Sequence, residues 1–264
     1  MVIGFIGLGN MAKAIINGII SEGVVAPEEI MGSAKSEETC LKVNKEFDIF
    51  TTTDNLKIAT TADILFIAVK PQMCDEVLRG IAGTTKKDAV IVSIVAGKTI
   101  SYLENLLGKD QKIVRLMPNT PAMVNEGLTA VCANQNARED DVNKIMKICT
   151  SFGEAEIIEE KHMDAFTAVA GSSPAFVFMY MEALADAAVK AGIPRAMAYK
   201  FASQSTLGSA KLMLDTKKHP GELKDMVCSP AGTTIEAVQV LEEMGFRSAV
   251  MDAVEACVNK AKSL

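Results

Sequence analysis

Residues 2–15 read VIGFIGLGNMAKAI, an apolar run followed by two glycines and an alanine-rich stretch. The run predicts a buried strand, the glycines a tight turn and the last stretch a helix. Gly7, Gly9 and Ala12 form the pattern G-x-G-x-x-A. In that pattern the first glycine makes the turn, the second lets a pyrophosphate approach the backbone, and the alanine lets helix and strand pack closely. The stretch predicts a Rossmann-like dinucleotide site; a glycine turn that serves packing alone is the alternative.

Short apolar runs alternate with helical patterns over the first part of the chain. The predicted strands are 2–6, 30–33, 63–69, 89–95 and 112–117, with weaker candidates at 49–52, 128–133 and 155–158. Alternation of strands with helices predicts a mainly parallel, doubly wound α/β sheet with helices on both faces. We assign residues 1–160 to this domain.

After residue 160, Pro and Gly punctuate long Ala- and Met-rich stretches, which predict an all-α domain over residues 161–264. For its first long helix the sequence predicts Ser173 as the N-cap, Pro174 at the first helical position, Gly192 just past the end and Pro194 beyond.

The polar residues of that helix form one narrow stripe. Glu182, Asp186 and Lys190 fall four residues apart, and nearly all the remaining circumference is apolar. A domain of this size has little interior in which to bury such a helix. We expect a second subunit to cover it, so that the helical domain forms a homodimer; a fully internal helix in a monomer is the alternative.

The composition argues against nucleic acid as a partner. There are 27 Lys and Arg against 33 Asp and Glu, with a net charge of -6 and a pI near 5.2, and no basic run that would follow a phosphate backbone. The six cysteines have neither C-x-x-C nor metal-ligand spacing, which predicts reduced thiols, no metal and a cytoplasmic protein. No basic n-region precedes the first strand and no apolar run approaches membrane-spanning length, so we expect neither processing nor a membrane span.

The segment MGSAKS, residues 31–36, lies where an NAD site usually carries an acidic residue for the ribose. Ser33, Lys35 and Ser36 can instead donate hydrogen bonds to a 2′-phosphate. The segment favours NADPH as the cofactor, with NADH possible; a solvated loop is the alternative.

Three more loops follow strands at the sheet edge where open α/β sheets bind ligands. Asn119 and Thr120 can hydrogen-bond a polar ring edge such as the nicotinamide carboxamide, whereas Lys70 is equally compatible with a solvated charge. The candidates in these loops are Lys70, Pro71, Ala96, Gly97, Asn119 and Thr120.

Near the C-terminus, residues 228–237 read CSPAGTTIEA, a hydroxyl-rich loop that runs into a helix. Such a loop is either an ordinary N-cap or a cradle whose free N–H groups bind an anion. With a nicotinamide site expected in the first domain and a second subunit expected on the helical domain, the loop becomes the expected substrate anchor.

In chain order, the segments GFIGLGNMAKAI, DILFIAVKP, SIVAG, RLMPNTPAMVNEG, AFTAVAGSSPAF and HPGELKDMVCSPAGTT resemble the pyrroline-5-carboxylate reductase family. The resemblance spans nearly the whole chain. It implies reduction of 1-pyrroline-5-carboxylate to L-proline with NAD(P)H, the last step of proline synthesis. It also implies a Rossmann domain followed by a helical dimerisation domain, with dimers commonly gathered into rings such as decamers.

Carried over by position, the resemblance implies cofactor contacts in the first domain and substrate contacts in the second. The implied cofactor residues are Gly7, Gly9, Asn10 and Met11 (pyrophosphate), Ser33 (2′-phosphate), Asn55, Lys70 and Pro71 (adenosine and ribose), and Ala96 and Gly97 (nicotinamide end). The implied substrate residues are Ser229, Gly232, Thr233 and Thr234, with the Thr234 hydroxyl facing the ring nitrogen. Two positions depart from the family: Ala231 stands where many members have Gly, and Met226 where some have Asn.

Neither histidine lies in the expected substrate loop, which argues against a His-centred proton relay. A cyclic imine is basic enough to arrive partly protonated, so orientation of the substrate supplies most of the catalysis. The N–H groups of Thr233 and Thr234 and the Ser229 hydroxyl can each bind the carboxylate. Thr234 is the expected catalytic residue, at the imine nitrogen.

Two other functions compete. A β-hydroxyacid dehydrogenase also begins with a similar turn and ends in helices, but those enzymes are expected to carry a catalytic Lys followed four residues later by Asn. Here Pro194 occupies that place after Lys190. A pyridine-nucleotide-binding regulator without catalysis would have no need of the polar loop in the helical domain.

Overall fold

The structure is a computed structural model that describes residues 1–262. The chain forms two compact units: Met1–Gly171 with the C-terminal residues from Cys257 onward, and Ser172–Ala256. The sequence places the domain boundary after residue 160, and that boundary stays a prediction.

The first unit is built on eight strands within the described residues. The strands are β1 (Ile3–Ile6), β2 (Ile30–Ser33), β3 (Phe50–Thr52), β4 (Ile64–Ile67), β5 (Val90–Ser93), β6 (Lys112–Met117), β7 (Gly127–Ala133) and β8 (Gly153–Ile157). Each one overlaps a strand predicted from the sequence, the weaker candidates included. The bounds differ by up to two residues. Apolar residues continue past the ends of the hydrogen-bonded ladder of β4 and β5, whereas β7 and β8 begin before their predicted starts.

The strand order is β3-β2-β1-β4-β5-β6-β7-β8, and the neighbouring strands are parallel except for β6 and β7. The predicted doubly wound, mainly parallel sheet is confirmed. β1 pairs with β2 on one side and with β4 on the other, so the strand order reverses beside β1. Open α/β sheets bind ligands at that switch point, outside the carboxyl ends of the strands.

Seven helices accompany this sheet in the described residues. They are α1 (Asn10–Ser21), α2 (Glu37–Phe47), α3 (Asn55–Thr61), α4 (Pro71–Ile81), α5 (Ile100–Leu107), α6 (Glu139–Cys149) and α7 (Met163–Phe166). The rings of Phe5 in β1 and Phe66 in β4 are fully buried and stack with centroids 4.7 Å apart. Burial of a side chain of this size contributes roughly 1.5–3 kcal/mol. The two strands that flank the switch point are thereby held together.

The second unit is helical. Its helices are α8 (Ser173–Lys190), α9 (Arg195–Thr216), α10 (Pro220–Val227), α11 (Thr233–Glu243) and α12 (Phe246–Ala261), the last of which extends beyond Ala256.

The start of α8 differs from its prediction. Thr167–Ser172 is a π-helical segment directly before α8, so Ser173 already lies in a helix, and no side chain of the described residues caps its start. The predicted N-cap at Ser173 is wrong because helical backbone, rather than a loop, precedes it. The predicted end is confirmed: Gly192 follows the helix at φ +95, a left-handed conformation that favours glycine.

The second unit exposes a large apolar surface. Between residues 172 and 256, all of them described, the buried side chains are those of Ala185, Ala198 and Ala202. In contrast, Phe178 is 63% exposed and Met179 68% exposed. Apolar surface on this scale marks a protein interface. The observation agrees with the expected second subunit.

One helical run, Glu160–Lys190, is long and apolar enough to cross a membrane by length and composition alone. The sequence prediction allowed no such run, because it began the helix at Ser173 and so missed the preceding turns. A single such helix is weak evidence for a membrane span, because a helix that packs against other protein passes the same test.

Candidate active site

The glycine turn after β1 admits only glycine at Gly7. Its φ is +97, and a Cβ placed there would lie 2.5 Å from the carbonyl oxygen of Ala68, at the end of β4. Its N–H donates to the carbonyl of Ser33, at the end of β2, over 2.9 Å. The turn therefore fixes the carboxyl ends of three adjacent strands at the switch point.

The N-terminus of α1 is open to a ligand. Gly9 is its N-cap, no side chain of the described residues caps it, and its first turn contains no acidic residue. A Cβ on Gly9 would meet no atom within 4 Å, so space lies above the backbone here. The free N–H groups and the dipole of a helix N-terminus bind phosphate groups. The residues fit a dinucleotide pyrophosphate, and the structure brings the predicted Gly7, Gly9, Asn10 and Met11 together at this point.

The end of β2 holds the predicted 2′-phosphate residues. Ser33 is fully buried and its hydroxyl donates to Oδ1 of Asn55 over 2.7 Å. Asn55 is the first residue of α3, whose start is capped by the carboxylate of Asp54. Lys35 is exposed, and Ser36 caps α2 by accepting the N–H of Thr39. Ser33 and Asn55 thus lie in contact although 22 residues separate them.

The next two strands end in the other predicted cofactor loops. Lys70 is exposed at the N-cap of α4, with Pro71 as the first residue of that helix. Ala96 and Gly97 form a half-buried turn after β5, in which Gly97 has φ +74. The buried Ser93 hydroxyl accepts the Val95 N–H over 3.3 Å and anchors the strand side of this turn.

The side-chain amide of Asn119 makes hydrogen bonds within the protein. It is 9% exposed, its Nδ2 donates to the carbonyl of Ala170 over 3.0 Å, and its Oδ1 accepts the Leu128 N–H over 2.8 Å. These bonds tie the loop after β6 to β7 and to the π-helical segment. Because both polar atoms are occupied, the geometry gives Asn119 a structural role, and the predicted contact with a nicotinamide carboxamide remains untested.

In the second unit, the substrate-loop candidates form a tight turn before α11. The Gly232 N–H donates to the Ser229 carbonyl over 3.0 Å, with Pro230 and Ala231 between them. Ala231 adopts φ +56, the left-handed conformation in which an L-residue other than glycine is strained. The alanine that replaces the family's glycine thus adopts a conformation that glycine would adopt without strain.

The start of α11 distinguishes a cap from a cradle. Its N-cap is Gly232, and no side chain of the described residues caps the helix. Thr233 and Thr234 are the first two helical residues, so their hydroxyls do not serve as N-caps. A Cβ on Gly232 would collide with the Ser229 hydroxyl, which places that hydroxyl against the helix start. One hydroxyl and the free N–H groups of the first turn therefore converge, as an anion site requires.

A part-buried charge pair in the first unit was not predicted from the sequence. Nη1 of Arg115 in β6 donates to Oε1 of Glu160 over 2.9 Å, and the Arg115 side chain is only 3% exposed. Burial, together with the charge of Glu160, raises the pKa of the neighbouring Cys132 thiol to about 11. The available signal for Arg115 was a charged residue with apolar neighbours on both sides in the strand KIVRLM. Glu160 lies 45 residues away and gave no signal.

Two family models match the chain. The model for pyrroline-5-carboxylate reductase dimerisation matches residues 160–264, and the model for NADP oxidoreductase coenzyme F420-dependent matches residues 2–97. The pyrroline-5-carboxylate reductase of Escherichia coli K12 is 50% identical over 262 residues, which are 99% of this chain and 97% of that protein. The enzyme of the same name from Synechocystis is 42% identical over the same shares.

A solved structure has the same fold over the full length. The crystal structure of the Plasmodium falciparum pyrroline carboxylate reductase with NADP bound superposes with a TM-score of 0.92. It is 33% identical and covers 100% of this chain and 97% of that one.

Proposed function

The chain belongs to the pyrroline-5-carboxylate reductase family, and from that premise we propose which of its residues carry out the reaction. It is an oxidoreductase that reduces 1-pyrroline-5-carboxylate to L-proline with NADP(H), in proline biosynthesis. The observation that carries the residue assignment is a pair of uncapped helix N-termini, one at α1 and one at α11. Each offers free N–H groups to an anion, and the reaction involves two: the cofactor's phosphates and the substrate's carboxylate.

The first unit would hold the cofactor along the carboxyl ends of its strands. Gly7, Gly9, Asn10 and Met11 would bind the pyrophosphate at the start of α1. Ser33, Lys35, Asn55, Lys70 and Pro71 would bind the adenosine half, and Ala96 and Gly97 the nicotinamide end. Asn119, whose amide bonds to Ala170 and Leu128, is left out of this assignment. The bound cofactor supplies the hydride.

The second unit would bind the substrate through its carboxylate. The N–H groups of Thr233 and Thr234 and the Ser229 hydroxyl converge at the start of α11, as Gly232 permits. Each hydrogen bond to a charged group contributes about 1.5–3 kcal/mol. Two or three of them orient a small ring, so that its C=N carbon can receive a hydride.

Thr234 would act at the imine nitrogen. It is half-buried in the first turn of α11, whereas Thr233 is exposed, so its hydroxyl is the better shielded of the two. A hydroxyl both donates and accepts, and it can therefore hold a protonated or an unprotonated imine nitrogen. Met226 is 64% exposed and carries no hydrogen-bonding group for the ribose, so we assign it no role.

The protein is a homo-oligomer whose helical domain matches the family's dimerisation model. We propose that dimers assemble further into a ring such as a decamer and that the protein acts in the cytoplasm; its free cysteines, four of them buried, suit a reducing compartment. Light scattering on the purified protein, whose chain mass is 28.2 kDa, measures the assembly. A particle no larger than a dimer would contradict the ring.

The assay for the function follows NADPH oxidation with 1-pyrroline-5-carboxylate and, in parallel, with small 3-oxo acids; the reverse direction uses 3-hydroxy acids with NADP. We expect turnover with the imine alone. Turnover with the oxo or hydroxy acids instead would favour a β-hydroxyacid dehydrogenase, the competing enzyme. Cofactor binding without turnover of any of them would favour a regulator.

A further inference from the structure

Glu160 joins three separate parts of the first unit through one carboxylate oxygen. Its Oε1 accepts the Ile100 N–H over 2.7 Å and an N–H of the Arg115 guanidinium over 2.9 Å. Ile100 begins α5, Arg115 lies in β6, and Glu160 precedes α7.

The Glu160 carboxylate is difficult to replace because it compensates the buried charge of Arg115. Its side chain is 3% exposed, that of Glu160 is 33% exposed, and Nε of Arg115 is buried without a partner among the described residues. A buried guanidinium needs a nearby negative charge and hydrogen-bond acceptors. Loss of the Glu160 carboxylate would leave Arg115 uncompensated and the first N–H of α5 without its acceptor.

The bond to Ile100 reaches the turn that contains Ala96 and Gly97. That turn begins at Val95, whose N–H is held by Ser93, and it leads directly into α5. Ser93 therefore fixes the turn on the strand side, and Glu160 fixes it on the helix side.

Packing connects the same parts independently of the hydrogen bonds. Ala96 and Ile100 pack against a buried cluster that contains Met117, Cys132 and Met163. Met163 lies one helical turn after Glu160. The segment that carries the carboxylate therefore also packs, through Met163, in the cluster that Ala96 and Ile100 contact.

We propose that Glu160 is a positioning residue of the reductase: through the Ile100 N–H it holds Ala96 and Gly97 in the place assigned to the nicotinamide end of the cofactor. The inference rests on the proposed site. Glu160 acts through the backbone of α5, and the reacting carbon atoms depend on that backbone for their alignment. A misplacement of about 1 Å costs about 100-fold in rate in comparable cases.

The variants are Glu160→Ala, Glu160→Gln and, as the matched control, Glu159→Ala. Glu159 is the neighbouring carboxylate; it is exposed and, within the described residues, its ion pair is with Lys161 over 2.7 Å. We expect Glu160→Ala to lower kcat about 10- to 100-fold with little change in KM for pyrroline-5-carboxylate. The kinetic isotope effect with NADPH deuterated at C4 should rise, because hydride transfer becomes more rate-limiting. Glu160→Gln should be intermediate, since its amide oxygen can still accept from Ile100.

A second readout needs neither cofactor nor turnover. In Glu160→Ala, hydrogen exchange of the cofactor-free protein should quicken much more in peptides that cover residues 95–103 than in those that cover residues 3–12, where only the lost compensation of Arg115 acts. Wild-type kcat and isotope effect in Glu160→Ala would overturn the proposal. So would an increase in exchange at residues 3–12 as large as that at residues 95–103, which would indicate a general loss of stability alone.

The exchange experiment also separates this proposal from the function. A wild-type protein that fails to reduce the imine refutes the proposed function whatever the exchange shows. An active wild type with unchanged exchange at residues 95–103 in the variant refutes the positioning role alone.

Discussion

The hydroxyl of the fully buried Ser33 donates to Oδ1 of Asn55 over 2.7 Å, so two residues proposed for the adenosine half of the site are bonded to each other. A hydroxyl has one proton to donate. To bind a 2′-phosphate, Ser33 must therefore give up its bond to Asn55 or act through it.

Ser33→Ala distinguishes these cases. If Ser33 contacts the 2′-phosphate, the variant should bind NADPH about tenfold more weakly, the loss of one charge-assisted hydrogen bond, with little change for NADH. Fluorescence titration with both cofactors measures this. Ser21→Ala, which removes a hydroxyl that donates to the Gly18 carbonyl at the far end of α1, is the control. Equal losses for both cofactors would show that Ser33 acts through Asn55.

Gly9→Ala should weaken cofactor binding, whereas Gly7→Ala should lower the stability of the fold. Gly9 has φ -78 and open space around its missing Cβ, so alanine there should leave the thermal midpoint unchanged while it obstructs the pyrophosphate. Gly7→Ala meets the Ala68 carbonyl at 2.5 Å and should destabilise the unit by more than about 2 kcal/mol. Calorimetric cofactor titration with melting curves separates the two. Normal NADPH affinity in Gly9→Ala would contradict the pyrophosphate assignment.

Ala231→Gly should stabilise the protein. The left-handed conformation costs an L-residue about 1–2 kcal/mol, and glycine adopts it freely at the expense of a more flexible unfolded chain. We expect a net gain of about 0.5–1 kcal/mol in the free energy of unfolding, measured with urea. Ala237→Gly, in the interior of α11, should be destabilising and serves as the control. An Ala231→Gly variant less stable than the wild type would contradict the φ value of +56.

Thr234→Val should lower turnover and leave NADPH binding unchanged. The substitution keeps the side-chain shape and the backbone N–H while it removes the hydroxyl proposed to face the imine nitrogen, at a cost of about 10- to 100-fold in kcat. Thr233→Val removes the neighbouring hydroxyl and should have little effect. Steady-state kinetics of both variants test the assignment, and equal kinetics would remove Thr234 from the mechanism.

The carboxylate of Asp63 predicts a pH dependence of stability. Hydrogen bonds from Lys86 and from the Val2 N–H lower the pKa of Asp63 below its usual value. A pKa lower in the folded than in the unfolded state stabilises the fold above the unfolded value, and the stabilisation is lost as pH falls through the folded value. Asp63→Asn should therefore cost up to about 1 kcal/mol at neutral pH, since the pair is half exposed. The difference from wild type should shrink below about pH 4 in urea unfolding.

Sequence patterns predict those parts of the candidate site whose residues are adjacent in the sequence. The strand before Gly7, the turn and the start of α1 form one continuous segment, so spacing alone is enough to predict where a pyrophosphate would bind. The same holds for the loop before α11.

Long-range contacts decided the rest. Asn119 bonds to Ala170, 51 residues away. The residues near Asn119 in the sequence do not indicate that its amide has this hydrogen-bond partner. Serine is a common N-cap residue, which is why Ser173 was predicted as one. The residues before it form helical turns in the structure, although their sequence has only a weak helical pattern. Glu160 acquires its role from partners in β6 and α5, which only the folded sheet brings to it.

The three small buried alanines of the helical unit give it almost no interior of its own. Because this unit matches the family's dimerisation model, its stability should rise with protein concentration, as mass action requires when a partner subunit covers apolar surface. At low protein concentration the helical unit should therefore become less stable. The start of α11, where we place the substrate, would be among the parts that lose their structure.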